Sequence, residues 1–315
     1  MIEVTGLTKF YGERKAIDNI SFKVNKGEVL GFLGPNGAGK SSTMKILTCF
    51  MPASFGKATV AGFDVFEQPL EVKKRVGYLP ETPPVYKEMV VSDFLLFKAA
   101  LHGIKGAKAK AAVQNALEKC GLTNVRGRLI NNLSKGYKQR VGIAQAIVHN
   151  PDVLILDEPT VGLDPKQIIE IRELVKGLSG DHTVILSTHI LPEVQATCSR
   201  VLIINEGKIV AINTLDDISK QLRKGNLFSI TTKAFQENLE NSFQKISGVL
   251  GVECHRAENG AKYNISFDGN DDLRAQLAEV TVQSGAGLLE FKREALSLEE
   301  VFLKLTTVEP SVKEN

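Results

Sequence analysis

Gly34-Pro35-Asn36-Gly37-Ala38-Gly39-Lys40-Ser41 fits the pattern G-x-x-x-x-G-K-[ST] at every required position. The apolar run Val29-Leu30-Gly31-Phe32-Leu33 before it predicts a buried strand, and Ser42-Thr43-Met44-Lys45-Ile46-Leu47 after it predicts a helix. Strand, glycine loop and helix start, in that order, build an anion site. Successive backbone N–H groups point inward, and the helix N-terminus adds partial positive charge. Glycine lets the backbone come close to a phosphate. The candidate binding set is Gly34, Asn36, Gly37, Ala38, Gly39, Lys40, Ser41 and Ser42. Lys40 suits the β- and γ-phosphates of a nucleotide, and the Ser41 hydroxyl suits Mg²⁺. A plain glycine-rich turn is the alternative, and the flanking strand and helix weigh against it.

A second chemical cluster follows the apolar run Val153-Leu154-Ile155-Leu156. Asp157-Glu158 puts two carboxylates at the carboxyl tip of a buried strand, a costly place unless they have work to do. Beside a P-loop, the aspartate there holds Mg²⁺. The next carboxylate can polarise an attacking water as a general base. An acidic turn before Pro159 is the bland alternative.

The chain has 315 residues, 43% of them apolar, so two domains with proper cores are expected. Its net charge of +3 comes without any block of like charge, which gives no electrostatic case for nucleic acid as a partner. Cys49, Cys120, Cys198 and Cys254 are scattered, as in a reducing cytosol. The start Met1-Ile2-Glu3-Val4 lacks a basic, then apolar leader, and no apolar run is long enough for a membrane span.

Coarse periodicity predicts an α/β core. Ile2-Glu3-Val4 reads as a short strand, Ile20 to Val24 as an alternating one, and Thr59 to Gly62 as part of a strand pair. Asp93 to Leu101 and Ala107 to Lys119 read as helices of an inserted helical block. Lys166 to Leu178 reads as a helix and Thr183 to Thr188 as a further buried strand. Continuous apolar strands alternating with helices imply a mostly parallel sheet covered on both faces. After the polar linker Arg223-Lys224-Gly225-Asn226 the pattern changes. Leu227–Thr232, Gly251–Arg256, Lys262–Phe267 and Gly287–Lys292 read as strands. Helices are expected at Phe235–Ile246, Asp272–Val280 and Leu298–Leu305. The order β-α-β-β-α-β suggests a small ferredoxin-like α+β unit. The expected division is 1–222 for the nucleotide domain, with its helical subdomain at about 85–150, then 227–307 for the accessory domain and 308–315 for a tail.

With Leu133-Ser134-Lys135-Gly136-Tyr137-Lys138-Gln139-Arg140 added, the chain resembles the ATP-binding subunit of ABC transporters over residues 1–222. That segment is similar to the family's LSGGQ motif, from which Lys135 and Tyr137 depart while Ser134 and Gly136 are kept. The resemblance implies a P-loop NTPase fold, ATP and Mg²⁺ as ligands, and a dimer, homo- or heteromeric. Each ATP then lies between the P-loop of one subunit and Ser134 and Gly136 of the other. Val161-Gly162-Leu163-Asp164 is similar to the loop that crosses the family's dimer interface, and His189 matches its switch histidine, held against the γ-phosphate. Tyr11 is similar to the aromatic that stacks on adenine. In Gly77-Tyr78-Leu79-Pro80-Glu81, Glu81 stands where the family has Gln. It can still ligate Mg²⁺, yet adds negative charge beside the γ-phosphate. The segment Thr82 to Tyr86 is implied to contact a transmembrane permease subunit.

The function implied is an ATPase that drives export through a separate permease, peripheral on the cytoplasmic face of the membrane. The ending Ser297 to Leu305 resembles multidrug and gliding-motility exporter subunits. A soluble ATPase of this type acting on ribosomes or DNA is the runner-up. Such proteins carry two ATPase units or a long coiled coil, and this sequence has neither. A non-hydrolysing nucleotide sensor is disfavoured by Glu158 and His189.

Overall fold

The computed structural model describes residues 1–214, 217, 226–257, 260–267 and 273–294. The expected helix Leu298–Leu305, the tail 308–315 and the linker residues Arg223-Lys224-Gly225 lie outside the described residues. The chain divides into two compact units, Met1–Leu215 and Asp216–Asn315.

The first unit opens with β1 (Ile2–Tyr11), β2 (Arg14–Val24), β3 (Val29–Leu33), α1 (Lys40–Leu47), β4 (Phe55–Val60) and β5 (Phe63–Asp64). Next come α2 (Pro69–Arg75), β6 (Val76–Leu79), α3 (Val91–Leu101), α4 (Gly106–Lys119) and α5 (Lys135–Ile147). β7 (Val153–Asp157), α6 (Pro165–Leu178), β8 (Thr183–Thr188), α7 (Leu191–Thr197), β9 (Arg200–Asn205) and β10 (Lys208–Asn213) complete it. The main sheet has order β10-β9-β3-β8-β7-β6, parallel throughout except for the antiparallel edge strand β10. A second, antiparallel sheet has order β2-β1-β4-β5.

The apolar strands are explained by burial on both faces. In β7, Leu154 and Leu156 join the core under the helices α3 to α6, while Val153 and Ile155 join the core shared with α1 and the antiparallel sheet. Period-two alternation is present but carries no polar face. β1 runs well past the short strand expected from Ile2-Glu3-Val4, because register shifts between Val4 and Phe10 break its alternation.

The second unit contains β11 (Asn226–Thr232), α8 (Leu239–Gln244), β12 (Val249–Ala257), β13 (Gly260–Phe267), α9 (Arg274–Gln283) and β14 (Leu288–Glu294). Its sheet is fully antiparallel, in order β12-β13-β11-β14, which is the β-α-β-β-α-β sandwich suggested by the sequence. α8 starts later than expected. The amides of Lys233 and Ala234 bond the carbonyls of Gly287 and Ala286, and Phe235 stacks under Arg256, so the chain turns before it coils.

Candidate functional site

The turns after β3, β6, β7 and β8 all open at the carboxyl edge of the parallel sheet, where ligands of open α/β sheets bind. There they enclose a cleft of about 580 Å³. Its floor is the turn between β3 and α1. Gly39 caps α1 with φ 107°, and a Cβ there would stand 2.5 Å from the Ala16 carbonyl oxygen, so only glycine fits.

Lys40 is 5% exposed and donates to the Gly34 carbonyl at 2.7 Å and the Pro35 carbonyl at 3.1 Å. Its ammonium also lies 3.2 Å from Glu158 Oε1. That contact is an ion pair without hydrogen-bond geometry, and among the described residues Oε1 has no hydrogen-bond donor. The other oxygen, Oε2, accepts from His189 Nδ1 at 2.8 Å. Because Nδ1 carries the proton toward the carboxylate, Nε2 of His189 is left for a ligand. Glu158 itself holds φ 50°, a left-handed conformation that non-glycine residues rarely adopt. Backbone strain of this kind collects at functional sites.

Asp157 ends β7 almost fully buried, behind the residues that line the cleft, and among the described residues its Oδ1 has no hydrogen-bond donor. Burial pushes the Tyr78 phenol well above its ordinary value, and the Asp157 charge adds to the rise. Ser41, Ser42, Asn36, Gly37 and Glu81 also line the cleft, and Tyr11 stands on its rim with its hydroxyl 3.3 Å from Ser42 Oγ. Gly34 and Ala38 are buried beneath the loop, and the Ala38 amide is committed to the Pro35 carbonyl. A buried carboxylate at the tip of β7, the Ser41 hydroxyl in the cleft and a lysine beside the glycine loop fit a magnesium nucleotide.

Ser134, Gly136 and Asp164 are not among the residues lining this chain's own cleft. Ser134 caps α5, its hydroxyl accepting from the Tyr137 amide at 3.4 Å, and Asp164 caps α6, accepting from the Gln167 amide at 2.9 Å. The two caps are packed together. A Cβ on Gly136 would stand 2.7 Å from the Gln167 side chain, and the Lys135 side chain lies over Gly162. Arg14 and Ala16, which the sequence did not single out, line the cleft, as does Val161 at the start of the Val161-Gly162-Leu163-Asp164 loop. Arg14 pairs with Tyr11 across the two-residue Gly12-Glu13 turn, a hairpin signal that was available.

The family model for the ABC transporter domain matches residues 17–161, spanning the P-loop and the Asp157-Glu158 pair. Linearmycin resistance ATP-binding protein LnrL of Bacillus subtilis is 32% identical over 307 residues, covering 97% of this chain and 98% of its own. The chain belongs to the ATP-binding subunits of ABC transporters. It is thus a P-loop ATPase, and its comparison with such proteins extends through both units. Bacitracin transport ATP-binding protein BcrA of Bacillus licheniformis is also 32% identical, over 97% of each chain. Daunorubicin/doxorubicin resistance ATP-binding protein DrrA of Streptomyces peucetius is 32% identical over 97% of this chain and 92% of its own. Among solved structures, an ATP binding subunit of an ABC transporter superposes with TM-score 0.64 at 31% identity, covering 70% of this chain and 93% of that one. Among the described residues no helix is long and apolar enough to cross a membrane.

Proposed function

We propose that this ABC ATPase works as a dimer on the cytoplasmic face of a membrane, where it drives export through a separate permease. Tyr11 stacks on the adenine, Lys40 and the loop from Asn36 to Ser42 hold the phosphates, and Glu158 is the general base. His189 turns its Nε2 toward the γ-phosphate. Ser41, Asp157 and Glu81 would hold Mg²⁺, which when bound offsets phosphate charge. The protein's own contribution is positioning and charge stabilisation. Ser134, Gly136 and Asp164 serve the nucleotide of the neighbouring subunit, which fits their absence from the cleft of their own chain. Whether the two subunits are copies of this chain or differ, the same two-sided cage results.

The observation that supports this reading most strongly is the Lys40–Glu158–His189 cluster beside the phosphate loop, with Lys40 and Glu158 buried and His189 exposed to the cleft. A groove of about 410 Å³ beside Pro80 and Pro84, with Phe50 and Lys98 on its walls, supports docking of the permease there. The relatives bear resistance and transport names for linearmycin, bacitracin and daunorubicin, which supports export of antibiotic-like compounds. Nucleic acid has no role in this reading. The deciding experiment is ATP binding and phosphate release by Lys40→Ala. Loss of both supports the assignment, and ATP binding at wild-type affinity refutes it.

A further inference from the structure

Glu193 lies on α7, is 1% exposed, and does not line the cleft. Its two oxygens are divided between two turns. Oε1 accepts the Thr160 hydroxyl, and Oε2 accepts the Thr188 hydroxyl at 2.7 Å. Thr160 follows Glu158 in the turn after β7, and Thr188 immediately precedes His189 at the tip of β8. The Thr188 hydroxyl in turn accepts from the Ile190 amide at 3.1 Å, so the backbone is fixed on both sides of His189. Arg172 Nη2, on α6, stands 4.0 Å from Glu193 Oε1.

Burying a carboxylate is unfavourable unless donors meet it. An apolar residue at this place would fill the same space without that cost. What the carboxylate adds is a double acceptor of fixed width between two turns that, among the described residues, have no other side-chain tie besides the Glu158–His189 bond itself. Glu158 also holds φ 50°, a conformation that persists only where the surroundings enforce it.

We propose that Glu193 is a positioning residue of the ATPase reaction, stapling the Glu158 turn to the His189 turn and so setting their 2.8 Å contact. This rests on the roles of Glu158 and His189 proposed above. Glu193→Gln keeps the shape but turns an amide donor toward one hydroxyl. Thr188→Val and Thr160→Val each remove one arm while keeping the volume.

The test is phosphate release by the full chain, with binding of a non-hydrolysable ATP analogue measured alongside. Glu193→Gln is expected to lower kcat about tenfold or more, with KM and analogue affinity within about twofold of wild type. The two valine variants are expected to move kcat in the same direction. In a Glu158→Gln background, Glu193→Gln is expected to leave the residual single-turnover rate unchanged, because nothing remains to be positioned. A merely structural Glu193 would lower both backgrounds by the same factor, and that result overturns the proposal. So does wild-type kcat in Glu193→Gln while the parent protein is active. If Glu193→Gln does not fold, the valine variants decide by the same criteria. A parent protein that releases no phosphate sinks the proposed function instead.

Discussion

Glu158→Gln removes one negative charge from a site 6% exposed and changes its shape hardly at all. The glutamine oxygen can still accept from His189 Nδ1, so the ring stays in place. The amide cannot take a proton from water. Loss of a general base costs about 10²- to 10⁴-fold in rate, or roughly 3 to 5 kcal/mol of barrier. Lys40 loses its 3.2 Å contact with the carboxylate but keeps the Gly34 and Pro35 carbonyls. The folding cost therefore falls within the range for one charged contact, about 1 to 3 kcal/mol. Nucleotide affinity should stay level or rise, because the phosphates no longer share Lys40 with a carboxylate. Phosphate release measures the rate, a melting curve the stability, and sedimentation with ATP and Mg²⁺ the closed dimer expected to accumulate. Turnover within about threefold of wild type, in a protein that binds ATP, would refute Glu158 as the base.

Tyr11→Ala should weaken ATP binding by about 1 to 2 kcal/mol, read by titration calorimetry, with kcat at saturating ATP little changed. Glu81→Gln replaces an anionic Mg²⁺ ligand by a neutral one and should raise the Mg²⁺ concentration needed for half-maximal hydrolysis, read by phosphate release. The remaining prediction concerns acid stability. Burial, helped by the charge of His102 stacked 3.6 Å away, pushes His149 down to about 4, against the pull of the Val76 carbonyl. The unfolded chain then binds a proton near pH 6.5 that the folded chain refuses. Stability should fall as pH drops from about 6.5 toward 4, by up to about 3 kcal/mol, and His149→Gln should flatten that slope in thermal melts.

The phosphate loop and the Asp157-Glu158 pair were legible because both are local. Each follows a buried apolar strand, and their spacing alone implies the chemistry. The β-α-β-β-α-β order of the second unit was legible for the same reason. Arg14 was within reach of the same local logic, since the Gly12-Glu13 turn sets it opposite Tyr11. Glu193 escaped because its partners Thr160 and Thr188 are brought to it by β7 and β8, and no sequence spacing records that meeting. β1 runs on past Val4 to Tyr11, and its alternation breaks on the way. In the structure the break marks a change of register.

The packing of Gly136 on Gln167, and of Lys135 over Gly162, has a mechanical result. The start of α5 and the loop before α6, which the proposed function assigns to a neighbouring subunit's nucleotide, are packed as one piece, so a shift of either presses on the other. Adding even a methyl at Gly136 would press on the Gln167 side chain and wedge the two segments apart where they meet.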